Sequence, residues 1–290
     1  MPLDRITDAG YLQEMASGSG SRVNKDADSL LRYGLPINSP KVRTLQAAVE
    51  GVKNDLATKR FNAAKDGVKK AKTIANGKDS EVILKATRDE SAGTERLKDL
   101  RAALEQLDDS VAAVAGTEKG SVQERTALDV AFGLQDKAAR IIGDVEELMI
   151  PDGFKVNVPD SYDGLPRLRG RATVEMKFEK PGKAPFDIEG ALYKTAKMTM
   201  VVDGYTSPVT SGNFVELVNK GFYNNFKIQR SDGFVVQTGD PDGEAVGYVA
   251  DGGKSAATLG SGKKGERLIP LEIFIKGDKA PTYETTIGER

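Results

Sequence analysis

Two glycine-rich stretches have residue types suited to binding phosphate through backbone N–H groups. The sequence GSGKKG at Gly260–Gly265 satisfies the GxGxxG pattern of dinucleotide sites. That chemistry needs a helix after the glycines, whose N-terminus holds the pyrophosphate, but a strand pattern follows them. The sequence GGKS at Gly252–Ser255 resembles the end of a P-loop, yet the upstream Gly247 is one residue too far away. We therefore interpret both stretches as surface loops and predict no cofactor.

Adjacent carboxylates at Asp108-Asp109 and Glu146-Glu147 are a second candidate for chemistry. Neighbouring side chains on a helix diverge by about 100°, so neither pair converges on one substrate atom, and we predict that both lie on solvated faces. The chain has no His and no Cys, which excludes imidazole and thiolate zinc ligands, catalytic triads and Cys nucleophiles. We predict no metal site.

Charge and hydropathy limit the classes of partner. The 290 residues include 42 Lys and Arg against 43 Asp and Glu, and this balance predicts neither nucleic-acid nor membrane-surface binding. No apolar run approaches the roughly 20 residues that cross a bilayer, so we predict no membrane insertion. Residues 1–20 lack the apolar stretch of a signal peptide, and the Gly/Ser run at Ser17–Ser21 predicts that residues 1–24 form a flexible segment.

Helical periodicity dominates from there to Ile150. Three apolar stripes recur at steps of three and four residues, which places each stripe on one helix face. The stripes are Val42, Leu45, Val49, Val52 and Leu56; Leu97, Leu100, Leu104, Leu107, Val111 and Val114; and Ala127, Ala131, Leu134, Ala138, Ile141, Val145 and Leu148. A weaker stripe begins with Phe61, Val68 and Ala71. We predict a four-helix bundle over residues 25–150.

The charges of successive helices are complementary. Lys41–Lys78 carries ten basic and three acidic residues, whereas Asp79–Glu118 carries ten acidic and five basic residues. One interpretation is that two solvated faces attract each other across a hairpin. The alternative is a basic patch that binds a partner.

The pattern changes at Pro151. Prolines and glycines interrupt residues 151–170, which we interpret as an extended linker. The β-type runs that follow are Thr173–Phe178, Lys197–Val202, Phe234–Gln237 and Leu268–Ile275. One helix signal lies among them, with Ser207 as the cap, Pro208 at the first position, and Phe214, Leu217 and Val218 on the apolar face. The predicted fold class is therefore α+β, with a barrel or sandwich over residues 171–290.

Two segments of this C-terminal region carry a family resemblance. The chain reads SPVTSGNFVELVNKGFY from Ser207 and FKIQRSDGFVVQTGDP from Phe226. The Pro-x-x-x-x-Asn-Phe helix, the Gly-Phe-Tyr turn and the Gly-Phe-x-x-Gln-x-Gly-Asp-Pro strand resemble the first half of a cyclophilin-type peptidyl-prolyl isomerase. With a helical domain that resembles the PsbQ-like four-helix bundle, the arrangement is similar to the large thylakoid-lumen cyclophilins of plants and algae.

The resemblance implies a proline-binding cleft and names its residues. Rotation about an X-Pro bond has a barrier of about 20 kcal/mol, which an isomerase lowers by donating a hydrogen bond to the prolyl nitrogen of the twisted state. Phe234, Val235 and Gln237 match the family's pocket Phe, Met and Gln. Counted back from Phe234 without a gap, the position of the catalytic Arg is Gln229.

Arg230, one residue later, is the other candidate donor. Consecutive strand residues point to opposite faces, so Arg230 replaces the family's Arg only if a β-bulge shifts the register. A neutral Gln229 amide stabilises the twisted state less than a guanidinium does. The alternative for Phe234 and Gln237 is a purely structural role, as a packed barrel residue and a strand-edge amide.

The resemblance also implies what the sequence lacks. The family's later half supplies another apolar wall, an Asn-containing strand and pocket Trp and His residues, but the chain has no Trp and no His. We expect residues 171–290 to be the first part of a cyclophilin-like barrel that is incomplete at its C-terminus, within a longer product.

Three functions are compatible with this sequence. The first is a prolyl isomerase of the thylakoid lumen, and the second is a folding or assembly factor for photosystem proteins, especially photosystem II, with weak or lost catalysis. The third is a structural subunit bound stably to the lumenal face of a photosystem. The implied partners are proline-containing lumenal proteins or loops of photosystem subunits. Gln229 and the missing second half favour the second and third functions.

Overall fold

The computed structural model of the protein describes residues 26–188, 190–232, 234–239, 248–249, 266–274 and 280–283. The described chain divides into two compact units. The first contains residues 26–33 and 37–149, and the second contains residues 34–36 and those from 150 onward. The predicted flexible segment 1–24 and both glycine-rich stretches, Gly252–Ser255 and Gly260–Gly265, lie outside the described residues.

The described part of the first unit contains six helices. Four of them are long, as the apolar stripes predict: α2 (Pro40–Ala57), α3 (Phe61–Asn76), α5 (Glu90–Ala115) and α6 (Val122–Glu147). Two short helices, α1 (Ala27–Tyr33) and α4 (Lys78–Lys85), were not predicted. The long helices pack in a closed ring, because α2 contacts α3, α3 contacts α5, α5 contacts α6 and α6 contacts α2.

The predicted stripes build the core of this bundle. Every residue of the first two stripes is completely buried, as are Val68 and Ala71 of the weaker one. In the third stripe, Ala131, Ala138, Ile141 and Val145 are buried, whereas Ala127 and Leu134 pack against the core from its margin. The stripes are therefore confirmed as the buried faces of these helices, except that Leu148 at the end of the third stripe is half-buried and lies outside the core cluster.

Charge pairing between neighbouring helices is also confirmed at one lysine. The Lys72 ammonium of α3 lies 2.6 Å from a Glu105 carboxylate oxygen and 2.8 Å from one of Asp108, both on α5. These two hydrogen bonds raise the pKa of Lys72 to about 12.

The prediction that Glu146 lies on a solvated face was wrong. Its side chain is fully buried, and its carboxylate lies 3.1 Å from Arg43 Nη1.

The second unit combines short strands with one helix. The strands are β1 (Arg171–Phe178), β2 (Phe186–Ile188), β3 (Ala191–Tyr193), β4 (Ala196–Asp203), β5 (Ile228–Ser231), β6 (Val236–Thr238), β7 (Glu272–Ile273) and β8 (Thr282–Tyr283). Among the described residues they form four two-stranded antiparallel sheets, pairing β1 with β4, β2 with β3, β5 with β6 and β7 with β8. The α+β class is confirmed, and the barrel itself stays a prediction.

Helix α7 (Pro208–Asn219) begins at Pro208 with Ser207 at the N-cap position, as predicted. The Ser207 side chain accepts no capping hydrogen bond. Instead, the Glu272 carboxylate of β7 accepts hydrogen bonds from the backbone N–H groups of Val209 and Thr210, at 3.1 and 2.8 Å. A residue distant in sequence therefore satisfies the first N–H groups of the helix, and it adds a negative charge where the helix dipole favours one.

The predicted linker contributes to the core of the second unit. Val158, Tyr162 and Leu165 are buried together with Val209 of α7. The backbone of this stretch approaches α7 closely, since Leu168 N–H donates to the Pro208 carbonyl at 2.9 Å. Proline content correctly predicts irregular backbone here, but the apolar residues between the prolines pack instead of connecting domains through solvent.

Candidate functional site

The five predicted site residues lie on the β5–β6 hairpin. Gln229, Arg230 and Gln237 are on its strands, and Phe234 and Val235 are in its turn. Its register pairs Ile228 with Thr238, Arg230 with Gln237, and Ser231 with Val236. Two steps along β5 from Ile228 to Arg230 correspond to one step along β6, so Gln229 is an extra residue in a β-bulge.

The bulge decides which side chain lies opposite Gln237. Residues directly opposite each other in an antiparallel pair project from the same face of the hairpin. Arg230 therefore shares a face with Gln237, and the condition under which Arg230 can stand in for the family's Arg is met in the structure. Gln229, the residue at the family position by the ungapped count, is the extra residue of the bulge.

The turn of the hairpin is organised by Asp232. Its Oδ1 accepts hydrogen bonds from the N–H groups of Phe234 and Val235, at 2.9 and 2.7 Å, and its own N–H donates to the Val235 carbonyl at 3.0 Å. Its Oδ2 accepts from Arg230 Nε at 2.6 Å. One carboxylate thus links the backbone of the turn to the guanidinium of β5.

These hydrogen bonds set the charge state of Asp232. The backbone N–H groups of Val235 and Phe234, followed by the Arg230 side chain, lower the pKa of its carboxyl below the ordinary value. Each donor interacts more strongly with the carboxylate than with the protonated acid, which favours ionisation. Asp232 is therefore negatively charged at neutral pH and paired with a positively charged Arg230.

The predicted pocket residues differ in their exposure. Phe234 is 79% exposed at the turn, Gln237 is exposed on β6, and Val235 between them is half-buried. The hairpin thus brings a guanidinium, an amide and an aromatic ring within one turn of chain. The described residues present them as an open surface, where water screens the guanidinium more than in an enclosed cleft.

Helix α7 holds the other signature residues in structural contacts. Asn213 Oδ1 accepts a hydrogen bond from Arg267 Nη2 at 2.6 Å, and Arg267 also forms an ion pair with Glu216. The Arg267 guanidinium lies over the Tyr248 ring, 4.8 Å from its centroid. Phe214 contacts Tyr223 of the Gly-Phe-Tyr turn with ring centroids 5.5 Å apart. These contacts fix the helix and the turn.

Sequence reasoning missed Asp232 and Arg267. The spacing Arg230-x-Asp232 places opposite charges two residues apart, which is a local signal that the hairpin register makes meaningful. Arg267 carries no such signal, because its partners Asn213 and Glu216 are more than fifty positions away.

None of the described helices is long and apolar enough to span a membrane. Within the described ranges, no three acidic side chains are grouped as metal ligands.

Two protein families match the chain. Residues 26–150 match the family described as peptidyl-prolyl cis-trans isomerase CYP38-like, PsbQ-like domain. Residues 189–282 match the cyclophilin type peptidyl-prolyl cis-trans isomerase/CLD family. The first match covers the helical unit, and the second covers the bulged hairpin together with α7.

Curated relatives combine these regions in one chain. The protein is 34% identical over 269 residues to peptidyl-prolyl cis-trans isomerase CYP38, chloroplastic, of Arabidopsis thaliana, covering 91% of this chain and 55% of that protein. It is 34% identical over 265 residues to a putative thylakoid lumen peptidyl-prolyl cis-trans isomerase of Synechocystis, covering 91% and 60%. Identity to CYP37, chloroplastic, of Arabidopsis thaliana is 28% over 277 residues, covering 92% and 52%.

The chain spans between about half and three fifths of the length of these relatives. The alignments nevertheless run through both the helical unit and the strand-rich unit, as the two family matches do. The chain therefore joins a PsbQ-like domain to a domain of the cyclophilin family, and it is homologous to the chloroplast and cyanobacterial isomerases that it matches.

Proposed function

We propose that the protein is a cyclophilin-type folding and assembly factor of the thylakoid lumen that supports photosystem II assembly or maintenance, with weak isomerase activity. Its substrates are X-Pro bonds in lumenal proteins or in lumenal loops of photosystem subunits. Arg230, and not Gln229, is the residue that donates to the prolyl nitrogen. Phe234, Val235 and Gln237 line the surface that receives the proline.

The observation that carries this proposal is the pairing of Arg230 with Gln237 across the bulged hairpin. In the twisted state of an X-Pro bond, the nitrogen lone pair is no longer delocalised into the carbonyl and accepts a hydrogen bond. A charged guanidinium interacts with it about twice as strongly as a neutral amide does. Because this interaction exists only in the twisted state, it accelerates rotation and does not merely tighten binding.

The exposure of the same hairpin supports a weak activity. Phe234 is 79% exposed, so a proline ring packed against it would meet the described residues on one side only. An electrostatic contribution from Arg230 is smaller in such a site than in a water-excluded one. Binding of extended proline-containing segments with slow turnover is the behaviour that this geometry favours.

The location and the clients are inferred from the relatives. One is named as chloroplastic and another as a putative thylakoid lumen isomerase. Residues 26–150 match the PsbQ-like domain family. This resemblance supports a photosystem protein as the client.

A proline-isomerisation assay separates the two candidate donors. The wild type is compared with R230Q, which removes the guanidinium, and with the matched control Q229A, which changes the neighbouring bulge residue. We expect a measurable wild-type rate, a loss of roughly tenfold in kcat/KM for R230Q, and little change for Q229A. Far-UV circular dichroism confirms that each variant remains folded.

The outcomes are distinct. If Q229A loses activity and R230Q keeps it, the assignment of the donor is wrong. If activity is unaffected in both variants, the hairpin is not the site. A wild type that binds a proline-rich lumenal peptide without accelerating isomerisation contradicts the weak activity and leaves a binding module.

A second function, stable attachment to a photosystem as a structural subunit, is favoured by the PsbQ-like match of the helical unit. Co-purification with photosystem particles after a salt wash tests it. If the protein is present in a stoichiometric amount relative to the photosystem and stays bound until high salt, the result supports a permanent subunit. A substoichiometric protein found with incompletely assembled particles supports the assembly factor.

A further inference from the structure

The strongest unassigned feature near the candidate site is the carboxylate of Asp232. Its two oxygens are engaged in different directions: Oδ1 accepts the turn N–H groups of Phe234 and Val235, and Oδ2 accepts Arg230 Nε at 2.6 Å. The first set of hydrogen bonds fixes the carboxylate to the backbone. The second connects this fixed group to the only side chain of the hairpin that carries a positive charge.

We propose that Asp232 is a positioning residue, whose backbone-anchored carboxylate holds the Arg230 guanidinium in the orientation required at the prolyl nitrogen. This inference rests on the function proposed above. It assigns no contact between Asp232 and the substrate. Its effect on isomerisation is exerted entirely through Arg230.

Arg230 has enough N–H donors to bind Asp232 and a substrate at the same time. A guanidinium has five N–H donors in a rigid plane, one on Nε and four on the two terminal nitrogens. Asp232 accepts a hydrogen bond from Nε, which restrains the guanidinium and leaves the four Nη donors for other partners. A single contact at Nε therefore orients the cation without occupying the donors that a substrate meets.

The exposure of the two side chains explains why an anchor matters. The Arg230 side chain is 57% exposed and the Asp232 side chain is 42% exposed. A long side chain at an exposed site samples many rotamers, and ordering it costs free energy when the twisted state forms. An ion pair between two mobile chains would contribute little, but Asp232 is held by two backbone hydrogen bonds, which reduces that cost.

The test uses two substitutions that separate the functions of Asp232. D232N retains an Oδ1 acceptor for the turn and removes the negative charge beside Arg230. D232A removes both and is the structural control. Isomerisation is measured for these variants, for R230Q, and for the double variant D232N/R230Q, so that a double-mutant cycle isolates the coupling between the two residues.

We expect D232N to lower kcat by about three- to tenfold with KM nearly unchanged, because orientation of the donor matters in the twisted state. In the R230Q background, D232N should have no further effect. A structural role would lower stability and reduce the rate equally in both backgrounds. An unchanged or increased kcat for D232N overturns the inference.

A direct measurement keeps the inference testable if turnover is undetectable. In the ¹⁵N NMR spectrum of the full chain, the Arg230 Nε–H signal, assigned by its loss in R230K, should exchange slowly with water and become fast in D232N. Fast exchange in the wild type overturns the positioning role even if the protein is active. Slow exchange in a protein whose wild-type and R230Q rates are equally negligible supports the positioning role and contradicts the proposed function alone.

Discussion

Arg230 lies directly opposite Gln237 because Gln229 is an extra residue in β5. Deleting Gln229 would leave a regular ladder in which Ile228 still pairs with Thr238 and Arg230 with Gln237. We therefore expect the deletion variant to retain isomerase kcat/KM within about threefold of the wild type, since the donor keeps its place.

The control for this deletion is an added residue. Inserting an alanine between Arg230 and Ser231 moves the guanidinium one position away from Gln237, and we expect it to reduce the rate as R230Q does. Both variants are measured in the same proline-peptide assay. A deletion that abolishes activity would show that the bulge residue itself is required.

The sequence predicts the helical unit well because its stability comes from periodic apolar burial. Leu45, Leu100 and Val111 stand at helical spacing and are fully buried, as the pattern requires. The short helix α1 gives no such signal, because the residues it buries are Ser29 and Arg32 while Leu30 and Tyr33 are exposed. A helix that packs through polar side chains has no apolar stripe to detect.

The candidate site is predictable in residue types but not in geometry. Phe234, Val235 and Gln237 follow from the strand motif, whereas the donor depends on whether Gln229 occupies a bulge, which is a property of the pairing of two strands. Glu146 shows the same limit in the bundle. Its sequence neighbours indicate an exposed face, whereas the ion pair with Arg43, 103 residues away, compensates for the burial of its charge.

The buried pair of Arg43 and Glu146 predicts an asymmetry in unfolding free energy. R43M leaves a fully buried carboxylate without this cation, and we expect a loss of roughly 3–5 kcal/mol. E146Q should cost less, about 1–3 kcal/mol, because Arg43 is partly exposed and still donates to the Arg32 carbonyl and to Gln46 Oε1, both at 2.8 Å. Urea unfolding followed by circular dichroism measures both, and equal costs would contradict the assigned burial.

Asp26 and Lys53 predict how the attachment of α1 depends on pH. Burial alone would raise the pKa of Asp26, but the hydrogen bond and charge of Lys53, with the N–H groups of Ser29 and Asp28, outweigh it and lower the pKa below the ordinary 3.8. The carboxylate therefore contributes its full stabilisation above 3.8 and loses it as the pH falls through its lower folded-state pKa.

The corresponding measurement is the NMR amide shifts of residues 27–33 between pH 6 and pH 2. We expect them to move toward coil values only below about pH 4, and the D26N variant to lack this transition. Lys53 determines the behaviour of this ion pair at high pH. Burial lowers its pKa, but hydrogen bonds to Asp26 and Asp136 raise it overall, so its contribution persists until high pH. A transition near neutral pH would be inconsistent with this pair.

Glu272 predicts a cap that acts from outside the helix. We expect E272Q to destabilise the second unit by about 1–2 kcal/mol, because a neutral amide oxygen is a weaker acceptor for Val209 and Thr210 N–H and loses the interaction with the helix dipole. S207A is the control and should change stability by less than about 0.5 kcal/mol. Hydrogen exchange of the Val209 and Thr210 amides should accelerate in E272Q and not in S207A; the reverse result would restore Ser207 as the cap.

Gly212 of α7 is required by the close approach of the chain before β1. A Cβ at this position would lie 2.5 Å from the Arg167 Cα and 2.5 Å from the Pro166 carbonyl oxygen, both backbone atoms that cannot rotate away. We expect G212A to cost more than about 2 kcal/mol, since α7 or residues 166–167 must move. G133A is the matched control: a Cβ there meets nothing within 4 Å, so the same substitution in α6 should stabilise its unit by about 1 kcal/mol. Thermal unfolding of both variants measures the difference. If G212A is as well tolerated as G133A, residues 166–167 do not pack against the helix, and the segment behaves as the linker that its prolines predict.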